Sequence, residues 1–215
     1  MNNQAASPYS EPVGMVESNS LHDYWLYLRS FVRRGLNVAS LVPSSRWTAQ
    51  QMLHGIDFKR AEVVVELGAG TGAVTASLLK ASRGYCRAII VERDAAFCER
   101  LAERFPHAEI VAGDALELPE MLNRLEVSQI DHVLSTLPIN WLPAEQRDHF
   151  FKSICRYLRV EGSFRQLTHM PWVQRSVFRK HFADVSCPLV LRNLPPAGCY
   201  VCREPLSVLE MAQCE

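Results

Sequence analysis

The sequence has no excess of charge, no long apolar run and no secretory signal. Its 215 residues carry 23 Lys and Arg against 23 Asp and Glu, which argues against a globally basic nucleic-acid-binding protein. No apolar stretch approaches the ~18–20 residues that a membrane-spanning helix needs. Residues 1–20 have neither the basic start nor the apolar core of a signal peptide. We therefore expect a cytoplasmic protein that does not span a membrane.

The sequence also lacks a pattern of paired cysteines. Its seven cysteines are scattered singly, and their odd number does not indicate a disulfide framework. Cys199 and Cys202 have the spacing of a zinc-binding pair, but no second pair of Cys or His accompanies them. Residues three apart on a strand face opposite sides, so two strand cysteines are the better interpretation. We expect free thiols and no metal site.

What is present divides the chain into three regions. Residues 1–20 are polar and are predicted to form a disordered tail. Residues 21–58 are predicted to form a helical extension, whose first helix places apolar residues from Leu21 to Leu36 on one face. Residues 21–60 hold six Arg or Lys and two Asp, a local net charge of +4 in a neutral protein. Ser45 is predicted to cap a second helix that ends near His54, and residues 59–215 form the main domain.

Strands and helices alternate beyond residue 59. Ala61–Leu67 is a continuous apolar run, as expected of a strand buried on both faces. The alternation predicts a doubly wound, Rossmann-like α/β sheet of seven strands, the last two forming an antiparallel hairpin at one edge. The predicted strands are 61–67, 87–92, 109–112, 129–135, 163–168, 184–191 and 199–202, and the predicted helices are 73–81, 95–105, 116–125, 144–158 and 173–182.

A glycine-rich turn, Glu66-Leu-Gly68-Ala-Gly70-Thr-Gly72, ends the first of these strands and opens a helix. Such a turn lets a ligand approach the backbone closely. A dinucleotide-binding turn has the spacing Gly-x-Gly-x-x-Gly, whereas here the third glycine comes one residue early. Glu66 would repel a pyrophosphate but can balance a cationic ligand. The turn therefore argues against a nicotinamide dinucleotide.

Two further acidic residues end the next two strands. Glu92 ends the second strand, where a carboxylate can accept both hydroxyls of a ribose. Asp114 ends the third strand and can accept a hydrogen bond from an adenine amine. Ligands of doubly wound sheets bind at the carboxyl ends of the strands. Glu66, Glu92 and Asp114 lie at the ends of three successive strands and therefore indicate one ligand site.

This arrangement resembles the class I S-adenosylmethionine-dependent methyltransferases. The resemblance implies that the chain is an enzyme, that the glycine turn lies beside the methionine part of the cofactor, and that Glu92 and Asp114 contact the ribose and the adenine. The cofactor carries a sulfonium and an ammonium but no phosphate, which agrees with acids around the turn. The residues assigned to the cofactor are Ser44, Ser45, Glu66, Gly68, Gly70, Thr71, Gly72, Glu92, Arg93, Asp114, Ala115 and Ser135.

The fourth strand ends in Ser135-Thr-Leu-Pro138, at the position that faces the reactive methyl in this fold. Methyltransferases of adenine carry Asn or Asp there, followed by Pro and an aromatic residue. The sequence has Ser135 and Ile139 in those places, which weakens the interpretation as a ribosomal adenine dimethyltransferase.

A longer series of motifs resembles the bacterial phospholipid N-methyltransferases. The resemblance implies that the acceptor is a membrane aminolipid. Phosphatidylethanolamine and its methylated intermediates are the first candidates. Ornithine lipid, an adenine of RNA and a non-catalytic cofactor-binding role remain as alternatives. Val160-Glu-Gly162 and His169 depart from the family pattern and leave the exact lipid open. The matching motifs are Pro43-Ser-Ser45, the glycine turn, Glu92–Phe97, Arg104-Phe-Pro106, Ser135–Pro138, Gln166-Leu-Thr168 and Arg192–Ala197.

The amino-terminal helix combines aromatic residues with basic residues at its border, a composition that suits either docking on an anionic membrane surface or packing on the sheet. The resemblance to lipid methyltransferases favours docking on the membrane. The protein would then be peripherally membrane-associated, and no nucleic-acid partner is expected. His169 and Ser135 are the candidate catalytic residues, with His132 as a further candidate base. The candidate residues for substrate and membrane contact are Tyr24, Trp25, Tyr27, Arg29, Arg33 and Trp141.

Overall fold

The computed structural model describes residues 43–168, 175–190 and 197–211, with only the backbone described at 43–45, 141 and 208–209. Seven strands form one sheet in the order β3-β2-β1-β4-β5-β8-β6, and a two-residue strand, β7, pairs with β8. The strands are β1 (Val63–Leu67), β2 (Arg87–Glu92), β3 (Glu109–Ala112), β4 (Ile130–Ser135), β5 (Leu158–Thr168), β6 (Phe182–Ser186), β7 (Leu189–Val190) and β8 (Ala197–Pro205).

The first five strands are parallel, and helices cross between them on both faces of the sheet. Short 3₁₀ turns at Ala115–Glu117 and Ile139–Trp141 follow β3 and β4. The helices are α1 (Pro43–Leu53), α2 (Ala73–Ser82), α3 (Ala95–Arg104), α4 (Leu118–Arg124), α5 (Ala144–Tyr157), α6 (Arg175–Arg179) and α7 (Val208–Met211).

Two apolar cores cover the two faces of the sheet. Val64, Ile90 and Leu134 point to the face covered by α1, α2 and α3. Val65 and Val133 point to the opposite face, which α4, α5 and α6 cover. Alternate residues of one strand thus enter different cores, which explains why β1 and β2 read as continuous apolar runs.

The predicted doubly wound sheet is confirmed, with two differences in detail. The predicted strand 184–191 is two strands, because Pro188 has no N–H to donate and interrupts the pairing. The predicted antiparallel pair at one edge is confirmed: β8 pairs antiparallel with β6, which forms the edge of the sheet, and on its other side with β5. The predicted cap at Ser45 is also wrong, since α1 already includes residue 43.

A buried arginine attaches α1 to the sheet. Arg165 on β5 is 1% exposed, and its guanidinium donates to the carbonyl oxygens of Met52 and His54 at 3.0 and 2.6 Å. Its Nε also donates to Ser163 Oγ at 3.0 Å. Burial lowers the pKa of Arg165 to about 10, so the side chain stays charged at neutral pH. The carboxyl end of α1 is therefore held by a charged donor from the sheet.

Several predicted features lie outside the described residues. These are the tail 1–20, the first amino-terminal helix with Tyr24, Trp25, Tyr27, Arg29 and Arg33, the candidate base His169, and the Arg192 motif up to Pro196. Within the described part of the chain, no helix is both long and apolar enough to cross a membrane.

Candidate functional site

The carboxyl ends of β1, β2, β3 and β4 meet where the strand order changes direction, between β1 and β4. In open α/β sheets this switch point leaves a crevice for a ligand. The structure ties these ends together through the backbone. Gly68 N–H donates to the Val91 carbonyl at 2.9 Å, and Thr136 N–H donates to the Leu67 carbonyl at 3.1 Å. The predicted convergence of the glycine turn with the acidic strand ends is thus present.

The three glycines of the turn have different surroundings. All have positive φ values of 79°, 52° and 80° at Gly68, Gly70 and Gly72, a conformation that favours glycine. A Cβ on Gly68 would lie 2.7 Å from Leu137, and one on Gly72 would lie 2.7 Å from Phe105. A Cβ on Gly70 would meet nothing within 4 Å. The missing side chains at Gly68 and Gly72 therefore let Leu137 and Phe105 pack against the turn. Gly70 instead borders open space that a ligand can enter.

Glu92 joins the turn to the end of β2. Its side chain is buried, and Oε2 accepts from Gly70 N–H at 2.8 Å. Its Oε1 accepts from the N–H groups of Arg93 and Asp94 at 2.8 and 2.9 Å. A carboxylate has about four acceptor positions, so three are filled by backbone donors. Glu92 thus orders the turn and keeps acceptor capacity for one further donor, one fewer than the two ribose hydroxyls predicted for it.

Asp114 lies at the end of β3 beside Arg93. Its Oδ1 accepts from Leu116 N–H at 3.1 Å and so caps the 3₁₀ turn that contains Ala115. Its Oδ2 forms an ion pair of 3.0 Å with Arg93, whose side chain is 44% exposed. Arg93 and Asp114, both predicted to belong to the site, are in direct contact.

Glu66 is the one acid of the three with no hydrogen-bond partner among the described residues. Its side chain is fully buried and both carboxylate oxygens lack a partner, as does Thr75 Oγ1. Burial raises the pKa of Glu66 to about 7, against smaller lowering effects of the Thr75 hydroxyl and backbone amide. A buried, unpaired carboxylate is costly, and a positively charged ligand at the neighbouring turn would offset that cost.

The raised pKa of Glu66 predicts that the ligand-free protein loses stability as the pH rises. The folded state binds the Glu66 proton more tightly than the unfolded state does, because the pKa rises from 4.5 to about 7 on folding. The free energy of unfolding should therefore fall between about pH 4.5 and 7, by about 3 kcal/mol at most.

Urea denaturation of the wild type and of Glu66→Gln at pH 5, 6, 7 and 8 measures this effect. The difference between the two proteins isolates Glu66 from His132, whose lowered pKa acts in the opposite direction. Identical pH profiles for the two proteins would contradict the assignment.

The turn after β4 closes the crevice on the other side of the glycine turn. Ser135 is fully buried, and its Oγ accepts from Leu137 N–H at 3.3 Å. Thr136 Oγ1 donates to the Gly68 carbonyl at 2.5 Å. Ser135 and Thr136 therefore fix the end of β4 against the glycine turn, in the place predicted for the methyl acceptor.

Gln166, at the end of β5, belongs to this region although it was not among the predicted site residues. It is 1% exposed and pairs in register with Ser135. Its Nε2 donates to the carbonyl oxygens of Leu137 and Leu167, both at 2.7 Å, which fixes the orientation of the amide. Its Oε1 is buried without a partner among the described residues. A free acceptor thus lies beside Ser135, at the end of a strand next to β4.

The structure separates His132 from these groups. His132 lies three residues before Ser135 on β4, and its Nδ1 is 2.9 Å from Ser163 Oγ. Burial, with the nearby Arg165 charge, lowers its pKa to about 4. A ring in the middle of the sheet with this partner has a structural role. The side chains of Ser44, Ser45 and Trp141 and all of His169 lie outside the described part of the chain.

The residues present fit S-adenosylmethionine. Open space at Gly70 admits a ligand to the backbone, and the unpaired carboxylate of Glu66 suits a cation. Glu92 and Asp114 supply acceptors and no phosphate-binding donors. Over the described residues, no group of three or more His, Cys, Asp or Glu could hold a metal ion.

Comparison with known proteins agrees with this chemistry. The family described as "Methyltransferase domain" matches residues 64–162. The ornithine lipid N-methyltransferase of Singulisphaera acidiphila is 39% identical over 186 residues, which cover 85% of this chain and 97% of that protein. The ribosomal RNA small subunit methyltransferase A of Phenylobacterium zucineum is 37% identical over 82 residues, which cover 37% of this chain and 27% of that protein.

Among solved structures, the fold is shared with the 1,6-didemethyltoxoflavin-N1-methyltransferase of Burkholderia thailandensis. The TM-score is 0.61 at 19% identity, over 92% of this chain and 94% of that one. That crystal structure holds 1,6-didemethyltoxoflavin and S-adenosylhomocysteine.

Proposed function

Because the chain belongs to the class I S-adenosylmethionine-dependent N-methyltransferases, we propose that its acceptor is the headgroup amine of a membrane aminolipid. The supporting observation is the extent of the likeness to the ornithine lipid N-methyltransferase, which covers 97% of that protein and 85% of this chain and so includes β1 to β5. The likeness to the ribosomal RNA methyltransferase of P. zucineum covers about a quarter of that protein.

Ornithine lipid is the first candidate acceptor and phosphatidylethanolamine, with its methylated intermediates, the second. The first is supported by the named activity of the S. acidiphila relative, and the second by the motif series of the sequence. Both lipids offer a primary amine at the membrane surface. The predicted contacts of Tyr24, Trp25, Tyr27, Arg29, Arg33 and Trp141 with the membrane or substrate belong to this proposal.

The chain's own residues would act by holding the two reactants. When bound, S-adenosylmethionine supplies an electrophilic methyl on its sulfonium. Glu66, Gly70, Glu92 and Asp114 hold the donor in this proposal, and alignment of donor and acceptor can supply several kcal/mol of the rate enhancement.

On the acceptor side, Gln166 Oε1 would accept a hydrogen bond from the amine, beside the turn that Ser135 fixes. The amine attacks as its neutral form, so the ammonium proton must leave before methyl transfer. His169 and Ser135 are the proposed groups for proton removal.

Incubation of the protein with S-adenosylmethionine and a panel of aminolipids in detergent tests the proposal. We expect the mass of ornithine lipid, or of phosphatidylethanolamine, to rise in steps of one methylene group. Gln166→Leu should bind the cofactor within about twofold of the wild type but transfer methyl at least tenfold more slowly. The amine nitrogen gains positive charge as it attacks, and a lost hydrogen bond to a charged group costs about 1.5–3 kcal/mol. Equal loss of cofactor binding and transfer would show that Gln166 only supports the fold.

A further inference from the structure

A cleft of about 1010 Å³ lies beside α1 and α2, and Glu66, Glu92 and Asp114 are not among its described lining residues. From α1 it is lined by Arg46 and Gln50, which are four residues apart on one face of that helix, and His54 follows from the turn after it. From α2 it is lined by Ala73, Ala76, Ser77 and Lys80. Thr71 of the glycine turn lines one end. The cleft therefore begins at the cofactor turn and extends towards the opposite edge of the sheet.

The cleft is strongly basic. Arg46, Lys59, Lys80, Arg83 and Arg104 line it, and Asp57 is the single acid among its described lining residues. All five basic residues are exposed, and none forms an ion pair with another described residue. We call these five residues the basic cleft. The chain has zero net charge, yet this surface carries a local excess of four positive charges.

The rim of the basic cleft carries exposed aromatic rings. Tyr85 is 56% exposed and lies under Lys59, whose Nζ is 5.8 Å from the ring centroid. Trp47 is 40% exposed and follows the lining residue Arg46 on α1. Exposed Trp and Tyr beside Lys and Arg are the composition of a surface that contacts a membrane interface.

We propose that the basic cleft binds the phosphate groups of anionic phospholipids at the membrane surface. The proposal rests on the proposed function, because an enzyme that methylates a lipid headgroup must stay on the bilayer between turnovers. The five cations would hold the α1–α2 side on the membrane, and the end of the cleft at Thr71 would then bring the glycine turn close to the headgroups.

Phospholipid is favoured over RNA as the anionic partner. Single-stranded RNA is bound by aromatic rings on which bases stack within a basic groove. Tyr85, the exposed aromatic residue that lines the cleft, is already beneath Lys59. Trp47 and Tyr85 on the rim instead suit the headgroup region, where amphipathic rings concentrate.

Sedimentation with vesicles tests the proposal on the full chain. Vesicles of neutral phosphatidylcholine are compared with vesicles that contain 30 mol% phosphatidylglycerol as the anionic lipid. The cleft variant is Lys80→Glu with Arg83→Glu. The matched control is Arg124→Glu with Lys180→Glu, two exposed basic residues on the opposite side of the sheet. Both variants change the net charge equally, so a general charge effect would appear in both.

We expect the wild type to bind the anionic vesicles and to lose binding as salt is raised. Because each basic residue near an anionic surface contributes about fivefold in affinity, the cleft variant should bind at least tenfold more weakly and the control within about twofold. The cleft variant should still methylate detergent-dispersed aminolipid at the wild-type rate.

Three results would overturn the proposal: equal loss in both variants, no loss in either, or binding of RNA by the cleft without binding of anionic vesicles. Failure of the proposed function gives a different result. In that case no protein methylates the dispersed aminolipid, while the effect of the cleft variant on vesicle binding remains.

Discussion

A Gly70→Ala variant is expected to fold and to bind S-adenosylmethionine at least tenfold more weakly than the wild type. Gly70 has a φ of 52°, and an added Cβ there meets no protein atom within 4 Å. The change therefore costs only the ~1–2 kcal/mol of a left-handed residue other than glycine. The new methyl group would occupy the space through which the ligand approaches the backbone. Isothermal titration and thermal unfolding measure the two effects separately.

Two further glycines provide the controls. Gly84 has a φ of 77° and also has open space at its Cβ position, but it lies in the turn between α2 and β2, away from the site. Gly84→Ala should lower the melting temperature similarly and leave cofactor binding unchanged. Gly72→Ala should instead lower the free energy of unfolding by more than ~2 kcal/mol, because its Cβ would lie 2.7 and 2.8 Å from Phe105 and Leu101. Unchanged cofactor binding by Gly70→Ala would show that the cofactor does not contact the turn at Gly70.

Loss of the Glu92 carboxylate should have the second large effect, on both stability and binding. Glu92→Ala leaves the N–H groups of Gly70, Arg93 and Asp94 without their acceptor. Water can reach some of these groups at the edge of the sheet, so we expect a loss of about 3 kcal/mol in the free energy of unfolding. Cofactor binding should fall more than a hundredfold, since the hydrogen bonds that order the turn and the proposed ribose acceptor are lost together.

Glu109→Ala is the matched control for Glu92→Ala. Glu109 begins the neighbouring strand, and its carboxylate accepts two hydrogen bonds from Arg87 at 2.7 and 2.8 Å, with the Arg87 and Glu109 side chains 40% and 34% exposed. A partly exposed pair contributes about 1 kcal/mol, so this variant should lose little stability and bind the cofactor normally. If Glu92→Ala does not fold, Glu92→Gln keeps the side-chain length and tests the same charge. Full affinity in Glu92→Gln would show that the carboxylate does not contact the ligand.

The alternation of apolar runs and amphipathic helices was enough to predict the sheet and its first five strands. Local patterns could not predict that β8 enters between β5 and β6, because pairing between distant strands depends on tertiary packing. Pro188 is present in the sequence, but a proline interrupts a strand only where the neighbouring strand would accept its missing N–H. That depends on the pairing register, which the sequence does not show.

The acids of the site were predictable because their spacing follows the strand ends. Gln166 was not singled out, although it lies in a recognised motif, because its importance comes from an oxygen left without a partner once Nε2 has bound Leu137 and Leu167. The basic cleft could not be predicted from the sequence either. Lys59 lies before β1, Lys80 on α2 and Arg104 at the end of α3, and only the folded chain brings them to one surface.

Transfer of a labelled methyl group tests the central claim most directly. The protein is incubated with S-adenosylmethionine labelled in its methyl group, with vesicles containing ornithine lipid and phosphatidylethanolamine, and with ribosomal RNA in the same tube. Lipid and RNA are then separated and counted, with Glu92→Ala as the background. We predict label in the aminolipid fraction and background counts in the RNA. Label in RNA with none in the lipids would contradict the account.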